Sequence, residues 1–110
     1  MDSYEVIITP DAAGDLTELR DYIVYTLHAH NTAISYIQAV RKEIESLSIM
    51  PARNKTLDDE PWHSRGIRKI MAKNFYIYYR IDENAGRIYV LSVIYAKRDQ
   101  LKMLNRKNDN

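Results

Sequence analysis

Cysteine is absent from the 110 residues. Disulfides and zinc–thiolate centres are therefore excluded, and a reducing compartment suits the chain. Glycine is scarce, with three residues. No glycine-rich phosphate cradle, nucleophile elbow or Cys/His pair can be traced. The opening stretch MDSYEVIITPDAAG lacks the basic segment and apolar run of a secretory signal, and no apolar run approaches a membrane span. A soluble, cytoplasmic protein is expected. Tryptophan and phenylalanine occur once each, against nine tyrosines, so most of the aromatic surface carries a hydroxyl.

Hydrophobic residues make up 45% and charged residues 28%, which is an ordinary globular balance. The length suits one domain, residues 1–110. A net charge of +1 hides a split. Residues 1–51 hold three basic residues (Arg20, Arg41, Lys42) and eight acidic ones, whereas residues 52–110 hold 13 basic and seven acidic. Such asymmetry fits a basic face that meets a polyanion or an acidic partner, or else a solvated basic surface.

Along the chain, residues 4–8 read as a strand. Thr9-Pro10-Asp11 is a helix start: Thr9 caps, Pro10 suits the first helical position, and Asp11 and Asp15 complement the dipole. Ala12, Leu16, Leu19, Ile23 and Leu27 form one stripe. Asn31 is expected to cap a second helix whose stripe is Ala33, Ile37, Val40, Ile44 and Leu47, stopped by Pro51. The short link at residues 28–30 makes the helices antiparallel neighbours. Residues 50–66 form a long polar loop. Period-two strands follow over 67–73, 75–81 and 87–96, the last nearly all apolar and hence central. Residues 82–86 turn between the last two. Residues 97–110 are a basic tail with one helical turn around 101–104. The order β-α-α-β-β-β predicts an α+β fold, with an N-terminal helical hairpin on one face of a small, mainly antiparallel sheet. The other face is expected to be open, presenting part of the set Arg68, Lys69, Tyr76, Tyr78, Arg80, Tyr95 and Arg98.

Several features resemble the RelE/ParE toxin superfamily. They are Thr9-Pro10 with Ala12 and Asp15-Leu16, the pair Tyr22-Ile23, Ala33 and Tyr36, Gly66-Ile67-Arg68-Lys69, Tyr76 to Ile81, and Ile88 to Tyr95 followed by Lys97-Arg98-Asp99. The likeness spans essentially the whole chain. It implies the toxin of a type II toxin–antitoxin pair, with a small acidic or amphipathic antitoxin as partner. The resemblance further implies either mRNA cleavage in the ribosome or poisoning of DNA gyrase, and a degenerate member would only bind its antitoxin. Translation arrest by mRNA cleavage is the leading expectation.

Metal-free RNA cleavage needs a base near the 2′-hydroxyl, cations for the phosphate and an acid for the leaving oxygen. The resemblance carries these roles to Arg68, Lys69 and Arg98, with Tyr95 and His63 as further candidates. Two positions depart from the RNA-cutting pattern: Tyr76 replaces a strand arginine, and Leu104 falls where a tyrosine is expected. Arg68 and Arg98 suit phosphate through their planar donors, or pair with Asp58, Asp59, Glu60 or Asp99. Arg65, Lys73, Tyr76, Tyr78, Arg80 and Lys97 are RNA-binding candidates, with Tyr76 and Tyr78 stacking on bases. Tyr22, Tyr25 and Tyr36 read as packing residues, and Trp62 as a cap on the core edge. His28 and His30 have a metal-ligand spacing but no third ligand, so neither a metal nor an organic cofactor is expected.

Overall fold

In the computed structural model, which describes residues 3–108, β1 (Glu5–Ile8) leads into α1 (Pro10–Asp21), a π-helical segment (Tyr22–Thr26) and α2 (His30–Ser46). A short 3-10 turn (Pro51–Arg53) and a loop precede β2 (Arg68–Ala72), β3 (Phe75–Asp82), β4 (Arg87–Tyr95) and α3 (Gln100–Asn108). The sheet order is β1-β4-β3-β2. β1 runs parallel to β4, and the other two pairings are antiparallel. The α+β architecture follows the expected order, and β4 is an inner strand. The tail differs: it carries a nine-residue helix, not a single turn. Asp99 starts this helix, its carboxylate accepting the Lys102 amide at 3.1 Å.

Thr9 ties the first helix to the sheet. Its Oγ1 accepts the Ala12 amide at 3.4 Å and donates to the Val90 carbonyl at 2.7 Å. Beyond the end of β1, the Asp15 carboxylate accepts the Val93 amide of β4 at 2.8 Å, so Asp15 is a tether and not only a dipole partner. Ala12, Leu16, Leu19 and Ile23 are buried against Ala33, Val40, Ile44 and Leu47 of the second helical stretch and Ile77, Tyr79, Ile88 and Val90 of the sheet.

The expected stripe breaks at Leu27, which is 54% exposed. Its amide donates to Tyr22 O, five residues back. This wider π turn shifts the helical phase. Tyr22 and Tyr25 are also exposed, so the packing role expected for them does not hold. The α2 start also moves. His28 adopts φ +54°, and the cap position falls on Ala29, which has no side-chain acceptor, in place of Asn31. The helix ends at Ser46, ahead of Pro51.

The second face of the sheet is not open. Trp62 and Ile67 from the loop, Tyr78 and Ile94 from the strands, and Leu104 from α3 form a second buried cluster. A bulge in β4 supports it. Tyr78 pairs with Ser92 and Tyr79 with Val90, so Leu91 is an extra residue. Ile88, Val90 and Val93 therefore face the helical hairpin, while Leu91 and Ile94 face the second cluster.

Candidate functional site

Strand alternation divides the candidate residues. Arg68 pairs with Tyr79 and Lys69 with Tyr78, so the two cations point to opposite faces. Arg68 lies on the hairpin side, partly buried, and its Nη1 donates to the Asn54 carbonyl. Asn54 Nδ2 in turn donates to the Tyr79 hydroxyl at 3.1 Å, and that hydroxyl donates to Pro51 O at 2.6 Å. Arg68 thus holds the start of the loop against the sheet. The acidic partners expected for it, Asp58, Asp59 and Glu60, are not the groups it touches.

Lys69 stands on the other face, its Nζ 4.3 Å from the centre of the Tyr76 ring. Tyr76 leans on Tyr78 with ring centres 6.3 Å apart. Arg80 shares this face and stacks 4.6 Å over Tyr89. Lys69–Tyr76 and Arg80–Tyr89 are two cation–aromatic pairs on one face of β2, β3 and β4, a strip interrupted by the covered Tyr78. Such a strip suits a polyanionic or acidic surface through cation–π-anchored charges. Tyr89 carries no signal in the sequence, because its partner is set by pairing across two strands.

Tyr78 does not offer its ring for stacking. It is 1% exposed, covered by the second cluster, and its hydroxyl donates to Gln100 Oε1 at 2.8 Å. Burial, with neighbouring Tyr76 adding, pushes its pKa up to about 12.

Tyr95 lies on the hairpin side, 39% exposed, with its ring 5.4 Å from Phe75. Phe75 meets Tyr36 edge-on at 6.5 Å, and Lys73 approaches the Tyr36 ring at 5.9 Å. Lys73 and Asn74 both take positive φ, as a two-residue hairpin turn requires. Tyr95 and Lys73 are therefore on the hairpin side, away from Lys69, and Tyr95 is not on the face expected for it.

His63 is in the loop, and its Nδ1 meets the Leu57 carbonyl at 2.8 Å. A carbonyl only accepts, so Nδ1 carries the proton. Beside it, Glu60 accepts the Ser64 hydroxyl at 2.7 Å and the Ser64 amide at 3.0 Å, which lowers the Glu60 pKa. Arg65 is exposed on the same turn. Lys97 and Arg98 are exposed after β4, and Arg98 Nη2 lies 3.6 Å from Met103 Sδ. Leu104, at the position where the resemblance expects a tyrosine, is core. Among the described residues, no three His, Asp or Glu side chains are grouped to hold a metal.

A family model described as the ParE toxin of the type II toxin–antitoxin system parDE matches residues 6–100. The chain belongs to this toxin family. A chromosomal ParDE toxin–antitoxin system from P. aeruginosa superposes with a TM-score of 0.70 at 19% identity, covering 86% of this chain and 98% of that one. The toxin–antitoxin complex RelBE2 from Mycobacterium tuberculosis gives 0.64 at 26% identity, covering 88% and 97%. A mutant of the E. coli toxin RelE in the free state gives 0.63 at 15% identity, covering 94% and 97%. No curated protein sequence matches significantly. Toxin membership, and with it the RelE/ParE superfamily, agrees with the resemblance read from the motifs. Among the described residues, no helix is long and apolar enough to cross a membrane.

Proposed function

We propose that this toxin acts by binding DNA gyrase and not by cutting a bond itself. One observation carries the reading: the groups assigned to phosphate chemistry are dispersed. Arg68 and Lys69 point to opposite faces, Tyr95 packs beside Phe75 on the hairpin side, His63 sits in the loop, and Arg98 lies against Met103. Acid–base cleavage needs its base, acid and cations around one phosphate. Binding a protein target needs a surface only, and the exposed Lys69 with the half-buried Tyr76, Arg80 and Tyr89 supplies one.

A second reading, ribosome-dependent mRNA cleavage, draws support from the same strip, since Lys69 and Arg80 are cations beside tyrosines on one face. In it Lys69 meets the phosphate, with Arg68, Arg98, His63 and Tyr95 gathering only on the ribosome. Neither reading requires a metal or organic cofactor. In both, the partner in the cytoplasm is a small acidic or amphipathic antitoxin, by analogy with the ParDE and RelBE2 assemblies.

The deciding experiment adds purified toxin to gyrase supercoiling reactions and, in parallel, to cell-free translation with mRNA 5′ ends mapped by primer extension. The expected result is lost supercoiling with intact message. Normal supercoiling with new ends on translated messages alone would overturn the gyrase reading and establish the nuclease.

A further inference from the structure

Sulfur chemistry in this chain falls to methionine alone, since cysteine is absent and methionine occurs four times. A thioether takes up one oxygen atom from a peroxide and becomes a polar sulfoxide, and exposure governs which thioether reacts. Met50, Met71 and Met103 lie among the described residues, and their surroundings differ.

Met50 is 72% exposed, more than any other large hydrophobic side chain among the described residues, and belongs to neither core cluster. Met71, on β2, is 47% exposed. Met103 is half-buried against the second cluster, and its Sδ accepts Arg98 Nη2 at 3.6 Å. A donor on the sulfur engages the lone pair that would attack an oxidant.

The backbone at Met50 is held without help from its side chain. It takes φ +49°, in the left-handed region that favours glycine. The Met50 carbonyl accepts the Arg53 amide at 3.1 Å and Arg53 Nη1 at 3.2 Å, and the Ile49 carbonyl accepts Nη1 at 2.8 Å. On the other side Pro51 is buried, and its carbonyl accepts the Tyr79 hydroxyl at 2.6 Å. A change at the Met50 sulfur leaves all of these bonds in place. Ile49 is exposed as well, so the turn presents two adjacent apolar side chains, and the state of the sulfur sets their polarity.

We propose that Met50 is a reversible oxidation site, at which a peroxide makes an exposed apolar turn polar without disturbing the fold. The sulfur lone pair attacks a peroxide oxygen, the S–O bond forms and the O–O bond breaks. The thioether is oxidised to the sulfoxide, and hydrogen peroxide is reduced to water. The sulfoxide stays accessible, so methionine sulfoxide reductases can return it to the thioether, with a thiol supplying the electrons. The site depends on neither toxin target.

The test treats the intact protein with hydrogen peroxide for increasing times and maps the oxygen by mass spectrometry. Cleavage after lysine and arginine puts the three methionines on separate peptides, 43–53, 70–73 and 103–106. The Met50 peptide is expected to gain its oxygen first, the Met71 peptide second and the Met103 peptide last. In urea the three rates are expected to converge, because the order is set by the fold. Protein oxidised at Met50 alone is expected to keep the parent melting temperature by circular dichroism, and methionine sulfoxide reductases A and B with dithiothreitol to remove the oxygen. Met50→Leu is expected to fold as the parent does and to lose the early uptake. Oxidation of Met71 or Met103 ahead of Met50, the same order persisting in urea, a lowered melting temperature on Met50 oxidation, or a sulfoxide that the reductases leave in place would each overturn the proposal.

Discussion

Tyr78 shows how a single residue changes role once its surroundings are known. In sequence it alternates with Tyr76 and Arg80 and looks available for stacking. In the fold it is a buried strut bonded to Gln100. Tyr78→Phe is expected to cost about 1 kcal/mol at neutral pH, the usual net value of one hydrogen bond. Alkaline pH gives a second measurement. The unfolded tyrosine loses its proton near 10.0 and the folded one near 12. Below pH 10 both states keep the proton and the contribution is complete. As pH rises from 10 to 12 the unfolded chain binds fewer protons than the folded chain, so stability falls, and above 12 the contribution is lost. Urea melts across that window are expected to fall less steeply for Tyr78→Phe than for the parent. Parallel slopes would show that Tyr78 is more exposed in solution than its packing implies.

Arg98 is the contrasting case. It is exposed, and its guanidinium lies against Met103 Sδ. Arg98→Ala is expected to change stability by less than about 0.5 kcal/mol. Its effect on growth arrest therefore reads function without a folding artefact. On the nuclease reading the variant loses toxicity; on the gyrase reading a residue away from the Lys69 strip leaves toxicity intact. A soluble but non-toxic Arg98→Ala protein would favour the nuclease.

At the scale of elements, the expected basic tail is a helix that closes a second core. The signal was present in two places. Leu101, Met103 and Leu104 recur at helical spacing, and β4 is an almost unbroken apolar run. Such a run belongs to a strand covered on both faces, so the open face inferred from β3 alone conflicted with β4 itself. Leu104→Ala is expected to destabilise the fold by about 2–4 kcal/mol, as for other buried leucines, with a lowered urea midpoint. A change under about 0.5 kcal/mol would mean that α3 is not docked in solution. The π-helical segment carried no comparable signal. Its residues Tyr22–Thr26 continue the apolar periodicity of α1, and only the i−5 hydrogen bond of Leu27 reveals the change of phase.

At the scale of the whole molecule, the acidic first half supplies the helical layer and the edge strand β1, and the basic second half supplies the rest of the sheet. The helical hairpin comes from the acidic half, and β2, β3, the loop and α3 from the basic half. On the proposed reading, an acidic antitoxin segment is drawn to the basic layer. Its dissociation constant is expected to rise with ionic strength when measured by calorimetry over a salt series. An affinity indifferent to salt would place the antitoxin on the apolar hairpin surface instead, where Tyr22, Tyr25 and Leu27 are exposed.

The amino-acid sequence alone determined the element order from β1 to β4, the α1 cap at Thr9-Pro10, the inner position of β4 and the family, because each rests on local chemistry or on short-range periodicity. It also named the cations of the candidate site. Only the tertiary structure decided which of them share a face. Arg68 and Lys69 are neighbours in the chain and are separated by the pleat. Tyr78 is buried by a helix that begins 22 residues later, and Ser92 is turned to the face of Tyr78 by one extra residue in β4. Faces of this kind depend on strand register and on what packs above, and both are set by contacts between residues far apart in sequence.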